Sequence, residues 1–156
     1  MDIIIEGSKD ALLLAKLNHD VQKLHHEIEP EIFKAYSEEN MKSLFEDIFS
    51  NNNAVAYVAK IENEPAGYIL FSEVQKEETY FRNSYSIVYI DQICVESRFK
   101  RKGVGKALVN FAKKYAKDRG ITRLEMDYWS KNKFSGEFFR SQGFSNFNER
   151  LYISIE

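Results

Sequence analysis

The sequence is poor in cysteine and proline. Cys94 is the only cysteine, so the chain cannot form an internal disulfide, and a metal site built on several thiolates is excluded. Pro30 and Pro65 are the only prolines, and neither lies in a linker rich in proline and glycine. For 156 residues without such a linker, we expect one domain spanning residues 1–156.

Long apolar runs and an excess of positive charge are also missing. The longest purely apolar run in the first predicted helix is Ala11–Ala15, far too short to span a membrane. The start, Met1–Glu6, lacks the basic and apolar regions of a signal peptide. The formal net charge of −2 argues against a general nucleic-acid binder. We therefore expect a cytoplasmic protein whose partners are neither membranes nor nucleic acids.

Hydrophobic periodicity divides the chain into alternating strand and helix signals. Strands are predicted near residues 3–6, 54–59, 66–74, 85–95, 121–129 and 151–155. Helices are predicted near residues 9–29, after Ser37, and near 104–120 and 132–142. The predicted order, β-α-α-β-β-β-α-β-α-β-β, counts one strand more than these six ranges, and it is an α/β fold with a mixed sheet and helices on both faces.

The most informative segment is a basic, glycine-bearing loop between a predicted strand and a helix. It reads Lys100-Arg101-Lys102-Gly103-Val104-Gly105-Lys106. Two glycines let a ligand approach the backbone closely. The unpaired first-turn N–H groups of the helix, together with its dipole, suit a pyrophosphate. The plainer interpretation is a helix start with solvated basic residues.

Two common nucleotide motifs do not fit this loop. A P-loop requires four residues between its glycines and then Lys-Ser or Lys-Thr, and both features are missing. A dinucleotide fingerprint requires a third glycine where Leu108 stands. The loop instead resembles the acetyl-CoA loop of the GNAT family of N-acetyltransferases, Gln/Arg-x-x-Gly-x-Gly/Ala. Lys100 departs from that pattern, because it replaces Gln or Arg.

Two further segments carry the same resemblance. Residues 132–144 resemble the GNAT segment Asn-x-x-Ala-x-x-Phe-Tyr-x-x-x-Gly-Phe, and Tyr89–Val95 resembles the family's central strand. Met126–Trp129 resembles the strand that separates from its neighbour in this family. The resemblance implies the GNAT acyl-CoA N-acyltransferase fold and one acetyltransferase domain over the whole chain.

The resemblance also implies where acetyl-CoA binds. Backbone groups in Ile93-Cys94-Val95 should pair with the pantetheine arm, and the Ile93 amide should polarise the thioester carbonyl. The residues from Lys100 to Lys106 should hold the pyrophosphate. Asn132 should contact the pantetheine or assist the site; the simpler interpretation is a helix N-cap, and one residue can fill both roles.

The proton donor to the departing thiolate is the least conventional part of the site. Phe139 stands where the family commonly has a tyrosine, and it has no hydroxyl to donate. We expect its ring to pack beside the thioester sulfur. Tyr128 or a water molecule is then the expected donor, unless the thiolate leaves unaided, since thiol pKa values lie near 8.5.

Asp91 is the first candidate for the general base, because an amine must lose a proton before it attacks. Under strict alternation Asp91, Ile93 and Val95 share one strand face. The simpler interpretation is a surface carboxylate. His25 could relay a proton or bind the acceptor, and the simpler interpretation is a solvated or capping histidine. Metal binding is not expected, because the adjacent His25 and His26 point in different directions on a helix.

These observations predict an N-acetyltransferase that moves the acetyl group of acetyl-CoA to a primary amine by direct attack in a ternary complex. The expected ligands are acetyl-CoA and an amine acceptor. A homodimer is one possible assembly. The alternative is a non-catalytic acyl-CoA-binding module, which the missing tyrosine at Phe139 keeps open.

Overall fold

A computed structural model describes residues 2–51 and 53–156. The described strands are β1 (Ile3–Ser8), β2 (Val55–Ile61), β3 (Glu64–Lys76), β4 (Tyr85–Val95) and β5 (Leu124–Met126). The described helices are α1 (Ala11–Leu17), α2 (His19–Ile28), α3 (Glu38–Asn51), α4 (Val104–Asp118) and α5 (Lys133–Ser141), with a 3₁₀ turn at Ser97–Phe99. None of these helices is long and apolar enough to cross a membrane.

The strands form one mixed sheet in the order β1-β2-β3-β4-β5. The first four strands pair antiparallel, whereas β5 lies parallel to β4 because α4 carries the chain back across the sheet. The predicted class, a mixed α/β sheet, is confirmed.

Helices cover both faces of the sheet, because β3 alternates apolar side chains between them. Ile69 and Phe71 point to the face covered by α4, where Leu108 is fully buried. Tyr68 and Leu70 point to the opposite face, where they pack with Leu14 of α1 and other residues of α1 and α3. The predicted helices on both faces are therefore present.

The first predicted helix is wrong in one respect, since it is two helices rather than one. α1 ends at Leu17 and α2 begins at His19. Asn18 at the junction is buried, and its Nδ2 donates a hydrogen bond to Tyr68 Oη (2.9 Å). This long-range contact breaks a pattern that helical periodicity alone would continue.

Two predicted strands also differ. The strand expected over residues 121–129 is limited to Leu124–Met126, and residues 151–155 form no strand. The alternation of Leu151, Ile153 and Ile155 satisfies the strand pattern, but a strand also requires a neighbour that supplies its hydrogen bonds. Within this chain, no strand in the described residues pairs with that segment.

Candidate functional site

Strand β4 loses its partner on one side halfway along its length. β4 pairs with β5 only through Val88–Ile90, opposite Leu124–Met126. Among the described residues, no strand pairs with residues 91–95 on that side. The second half of β4 therefore presents an unpaired backbone edge where its pairing with β5 has ended, and we call the space beside this edge the cleft.

A β-bulge determines which backbone groups face this cleft. Phe71 of β3 lies opposite Ile90 and Leu70 lies opposite Gln92, so Asp91 is the extra residue. Before the bulge, the backbone N–H and C=O groups of even-numbered residues point toward β5, because the Val88 N–H donates to the Arg123 carbonyl (3.0 Å).

After the bulge the directions are exchanged. The Glu96 N–H donates to the Ala66 carbonyl (2.8 Å), on the β3 side. Backbone groups alternate along a strand, so the amides of Ile93 and Val95 point away from β3 and into the cleft.

Because of the same bulge, the prediction that Asp91 shares a strand face with Ile93 and Val95 is wrong. The two apolar side chains pack on the α4 face. Asp91 lies on the opposite face, where its Oδ2 accepts a hydrogen bond from Ser72 Oγ (3.2 Å). Strict alternation fails here because the extra residue shifts the side-chain parity.

Asp91 opens onto a surface cavity of about 550 Å³ between α3 and the sheet. Leu44 and Ile48 of α3 form one wall, and Gln92 lies beside Asp91 on β4. Burial raises the pKa of the Asp91 carboxyl above its ordinary value, and the hydrogen bond from Ser72 partly opposes that shift. A carboxylate with a raised pKa is better matched to proton transfer near neutral pH.

The glycine-bearing loop ends in a helix N-terminus that no side chain of the described residues caps. Gly103 is the N-cap of α4, with φ +83°. Arg101 is also in the left-handed region, with φ +63°, which is costly for a residue with a Cβ. Val104 is buried and anchors the helix, while the first-turn N–H groups have no acidic residue or capping side chain beside them. Such a terminus attracts an anion.

Positive charge remains available around this helix end. Lys100, Arg101, Lys102 and Lys106 are exposed, and none of them makes an ion pair within residues 2–51 and 53–156. Arg98 differs from them, because it pairs with Glu64 (3.1 Å) and Glu96 (3.0 Å). Its charge is therefore largely neutralised locally.

Helix α5 packs against the same loop. The ring of Phe138 lies so close to Gly105 that a Cβ there would come within 2.9 Å of it. Asn132 is the N-cap of α5, and its Oδ1 accepts from the Ser135 N–H (3.2 Å). The simpler role predicted for Asn132 is therefore present, and cofactor contact through its Nδ2 remains a prediction.

Phe139 and Tyr128 occupy different surroundings. Phe139 is only 4% exposed, and its ring contacts those of Phe138 and Phe144 at 5.2 and 5.6 Å between centroids. Tyr128 is half-buried against α5, where its Oη would be 2.8 Å from a Cβ at Gly136. The roles predicted for both side chains beside the thioester stay predictions.

His25 belongs to an aromatic cluster that joins two loops. Its ring stacks on Phe33 at 4.8 Å, and Phe33 meets Trp129, on the loop after β5, at 4.9 Å. The ion pair between Lys131 and Glu29 (3.1 Å) joins the same two loops. Burial lowers the pKa of His25, which favours the neutral form of its imidazole.

Sequence analysis did not predict two hydrogen-bonded polar groups of the site. Tyr89 Oη donates a hydrogen bond to Asp127 Oδ2 at the point where β4 and β5 separate. Asp127 lies in the segment that resembles the separating strand, but only the fold reveals its pairing with Tyr89. The second group is buried: Tyr68 Oη donates to Gln92 Oε1 (2.5 Å) and joins Asn18 to the strand that carries Asp91.

Comparison with known proteins decides the family. The Acetyltransferase (GNAT) family model matches residues 20–144, well over half of the chain. The chain belongs to the GNAT family. The matched GNAT region includes the bulged half of β4, the basic loop, α4 and α5.

A curated relative agrees with this assignment, and two solved structures share the fold. Glucosamine 6-phosphate N-acetyltransferase of Arabidopsis thaliana is 30% identical over 111 residues, 70% of this chain and 72% of the relative. A tetramutant of the BH1408 protein from Bacillus halodurans has a TM-score of 0.90 at 21% identity, covering 97% of this chain and 99% of that chain. A predicted acetyltransferase with acetyl-CoA from Clostridium acetobutylicum has a TM-score of 0.70 at 18% identity, covering 98% and 96%.

Other curated GNAT relatives are considerably longer than the matched region. The chain spans 55% of an uncharacterised N-acetyltransferase of Lactobacillus delbrueckii subsp. lactis and 38% of one from Methanocaldococcus jannaschii. The likeness therefore covers only part of those proteins.

Proposed function

We propose that this protein transfers the acetyl group of acetyl-CoA to a primary amine of a small molecule or peptide. The carrying observation is the unpaired half of β4, whose Ile93 and Val95 amides face the cleft. An extended pantetheine arm can pair with these groups as an added strand does. The uncapped N-terminus of α4 follows in the chain and suits the pyrophosphate. The Clostridium acetobutylicum neighbour with acetyl-CoA supports this choice of donor.

In this proposal the backbone stabilises the reacting thioester. The Ile93 N–H points into the cleft, so it can donate to the carbonyl oxygen as negative charge develops there. Asn132 can add a contact through its side-chain Nδ2, because its Oδ1 already caps α5. The basic residues from Lys100 to Lys106 then hold the diphosphate away from the reacting carbon.

Direct attack by the amine is favoured over transfer through a cysteine. Cys94 is 3% exposed, and burial raises the pKa of its thiol to about 12. A thiolate is the nucleophilic form, so a buried thiol with this pKa is unreactive at neutral pH. We therefore propose a ternary complex in which the amine attacks the thioester itself.

Acidic groups on the α1–α3 side of the sheet suit a cationic acceptor. Asp91 is our proposed base, since its raised pKa helps it to take a proton from an ammonium group, directly or through water. Asp127, hydrogen-bonded to Tyr89, adds negative charge where the strands separate. The neutral imidazole of His25 is a second group that could accept a proton. Tyr128 or water then protonates the departing thiolate.

The test combines cofactor binding with turnover. Calorimetry should detect CoA, and thiol release from acetyl-CoA should appear with at least one amine among polyamines, amino acids, aminoglycosides, amino-sugar phosphates and peptides. Amino-sugar phosphates are included because of the name of the Arabidopsis relative. If CoA binds but no acceptor leads to thiol release, the result would favour a non-catalytic CoA-binding module, the alternative that the missing hydroxyl at Phe139 allows. Absence of CoA binding would contradict both functions.

A matched pair of α4 variants tests the position of the diphosphate. Lys106→Ala removes a charge from the first turn, and Lys114→Ala removes one near the other end of the same helix. Both lysines are exposed, and Lys114 pairs with Asp118 (2.6 Å). Only Lys106→Ala should weaken CoA binding and lower its salt dependence. Equal effects of the two variants would argue against a local contact.

A further inference from the structure

A row of polar side chains crosses the apolar layer between the α1–α2 junction and β4. Asn18 Nδ2 donates to Tyr68 Oη (2.9 Å), and Tyr68 Oη donates to Gln92 Oε1 (2.5 Å). Tyr68 is fully buried, and Leu14 and Phe45 belong to the same core cluster. Burial raises the pKa of the Tyr68 hydroxyl well above its ordinary value, so the hydroxyl stays protonated and can donate.

The hydrogen bonds of this row offset the cost of burying polar groups and add little stability beyond that. Apolar side chains of the same shape would fill the space with nearly equal or greater stability. The row is also incompletely satisfied, because Asn18 Oδ1 is buried and has no hydrogen-bond partner within residues 2–51 and 53–156. Departures of this kind concentrate at functional sites. The row therefore calls for a role other than packing.

The row ends at the residue that follows the β4 bulge. Gln92 lies between Asp91, the extra residue, and Ile93, whose N–H faces the cleft. The side chains of Asp91 and Gln92 both lie on the α1–α3 face of the sheet. A ladder with its extra residue two positions later, at Ile93, would keep strand pairing on both sides of the bulge. Strand pairing alone therefore does not fix the bulge at Asp91.

A shift of the extra residue from Asp91 to Ile93 would reverse the geometry of the site. Side-chain parity would place Gln92 on the apolar α4 face, and the Ile93 N–H would turn from the cleft toward β3. The hydrogen bond from Tyr68 opposes this register, because it holds Gln92 Oε1 on the α1–α3 face. Asn18 holds the Tyr68 hydroxyl in turn from the α1–α2 junction.

We propose that Tyr68, supported by Asn18, is a positioning residue for acetyl transfer. Through Gln92 it fixes the bulge at Asp91, so the Ile93 N–H stays directed into the cleft, where the thioester carbonyl binds. Tyr68 is fully buried, so it acts on the reaction only through Gln92. The inference rests on the proposed function, because acetyl transfer gives the Ile93 amide its role.

Turnover separates positioning from packing. Complete loss of an oxyanion donor lowers kcat by about 10²–10³-fold, so Tyr68→Phe should lower kcat for thiol release by about tenfold or more. The Kd for CoA, which lacks the acetyl carbonyl, should not change. Tyr36→Phe is the matched control, because its lost hydroxyl donates to the Ala15 carbonyl of α1 (2.8 Å) and not to β4. It should keep the parental kcat. A folded Tyr68→Phe with the parental kcat would overturn the proposal.

Gln92→Met tests whether Tyr68 acts through Gln92. The thioether fills a similar volume but is only a weak hydrogen-bond acceptor. Gln92→Met should lower kcat as Tyr68→Phe does, and the double variant should be no slower than either, because both changes break the same link. Multiplying losses in the double variant would contradict action through Gln92.

Hydrogen exchange tests the bulge without reference to turnover. The Gln92 N–H faces β3, whereas the Val88 N–H, before the bulge, donates to the Arg123 carbonyl (3.0 Å). Tyr68→Phe should speed exchange at Gln92 by about tenfold or more relative to Val88, and Tyr36→Phe should leave that ratio unchanged. Equal acceleration at both amides indicates a general loss of stability and would overturn the inference, whether or not the parent transfers acetyl groups. A parent that releases no thiol with any amine contradicts the proposed function instead.

Discussion

The backbone conformation of Gly103 leads to a sharp prediction for Gly103→Ala. Gly103 has φ +83°, and a Cβ added there would meet no atom within 4 Å. Steric overlap is therefore not the penalty, and only the left-handed backbone is disfavoured, by about 1–2 kcal/mol for a residue with a Cβ. The Gly103 carbonyl accepts from the Ala107 N–H (2.9 Å), but no described side chain caps this end of α4, so the unliganded loop before Gly103 can relieve the strain by rotating.

Binding of CoA then has to restore the original loop. The restoring cost of about 1–2 kcal/mol corresponds to an affinity about 5–30-fold weaker. Calorimetric titration with CoA measures this effect, and urea unfolding should reveal a loss of stability smaller than the full strain, because the free loop has relaxed.

Gly120→Ala is the matched control at the other end of α4. Its φ is +71°, and a Cβ there would also meet no atom within 4 Å. Here the Gly120 N–H donates to the Lys117 carbonyl (3.0 Å) and the Ile121 N–H donates to the Ala116 carbonyl (2.9 Å), so the backbone cannot rotate freely. We expect the full stability loss of about 1–2 kcal/mol, a Tm about 2–4 °C lower per kcal/mol, and unchanged CoA affinity. If Gly103→Ala binds CoA like the parent, the loop does not hold the diphosphate.

Three further variants test individual side chains. Asp91→Asn should reduce turnover by about 10²–10⁴-fold if the carboxylate is the base. Because burial raises the Asp91 pKa, the ionised carboxylate opposes folding. Asp91→Asn should therefore be more stable than the parent at pH 7. This gain in stability should vanish as the pH falls to 3.8, the ordinary pKa of the carboxyl. An equally active variant would remove Asp91 from the mechanism. Tyr128→Phe should slow chemistry with CoA affinity unchanged, and adding Phe139→Tyr should restore the rate, whereas a rate equal to the parent's would leave water as the acid. Arg101→Gly should bind CoA more weakly yet unfold at the same or a higher urea concentration, because Gly relieves the strain of φ +63°; a marked loss of stability would contradict that account.

Local sequence patterns were sufficient to predict the elements that form the proposed acetyl-CoA site. The apolar spacing of Val104, Leu108 and Phe111 predicted α4, and Gly103 and Gly120 marked its two ends. Both signals are local, because periodicity and left-handed caps depend on residues close in sequence. The long strand Tyr85–Val95 was predicted with the same bounds for the same reason. Motif order in this region was also sufficient to predict the family.

Contacts between distant residues decided the rest. The bulge at Asp91 arises from register with β3, and it separates Asp91 from Ile93 and Val95, which alternation alone had grouped. Asn18 divides the first helix because Tyr68, fifty residues away in the chain, receives its hydrogen bond. The 151–155 segment has the pattern of a strand, yet strand formation depends on a neighbour that its own residues do not specify. The sequence by itself thus determined α3, α4 and α5, the basic loop and the family, since these depend on local spacing. Only tertiary structure decided that the Ile93 and Val95 amides face the cleft and that Asp91 faces α3, because strand pairing sets those directions.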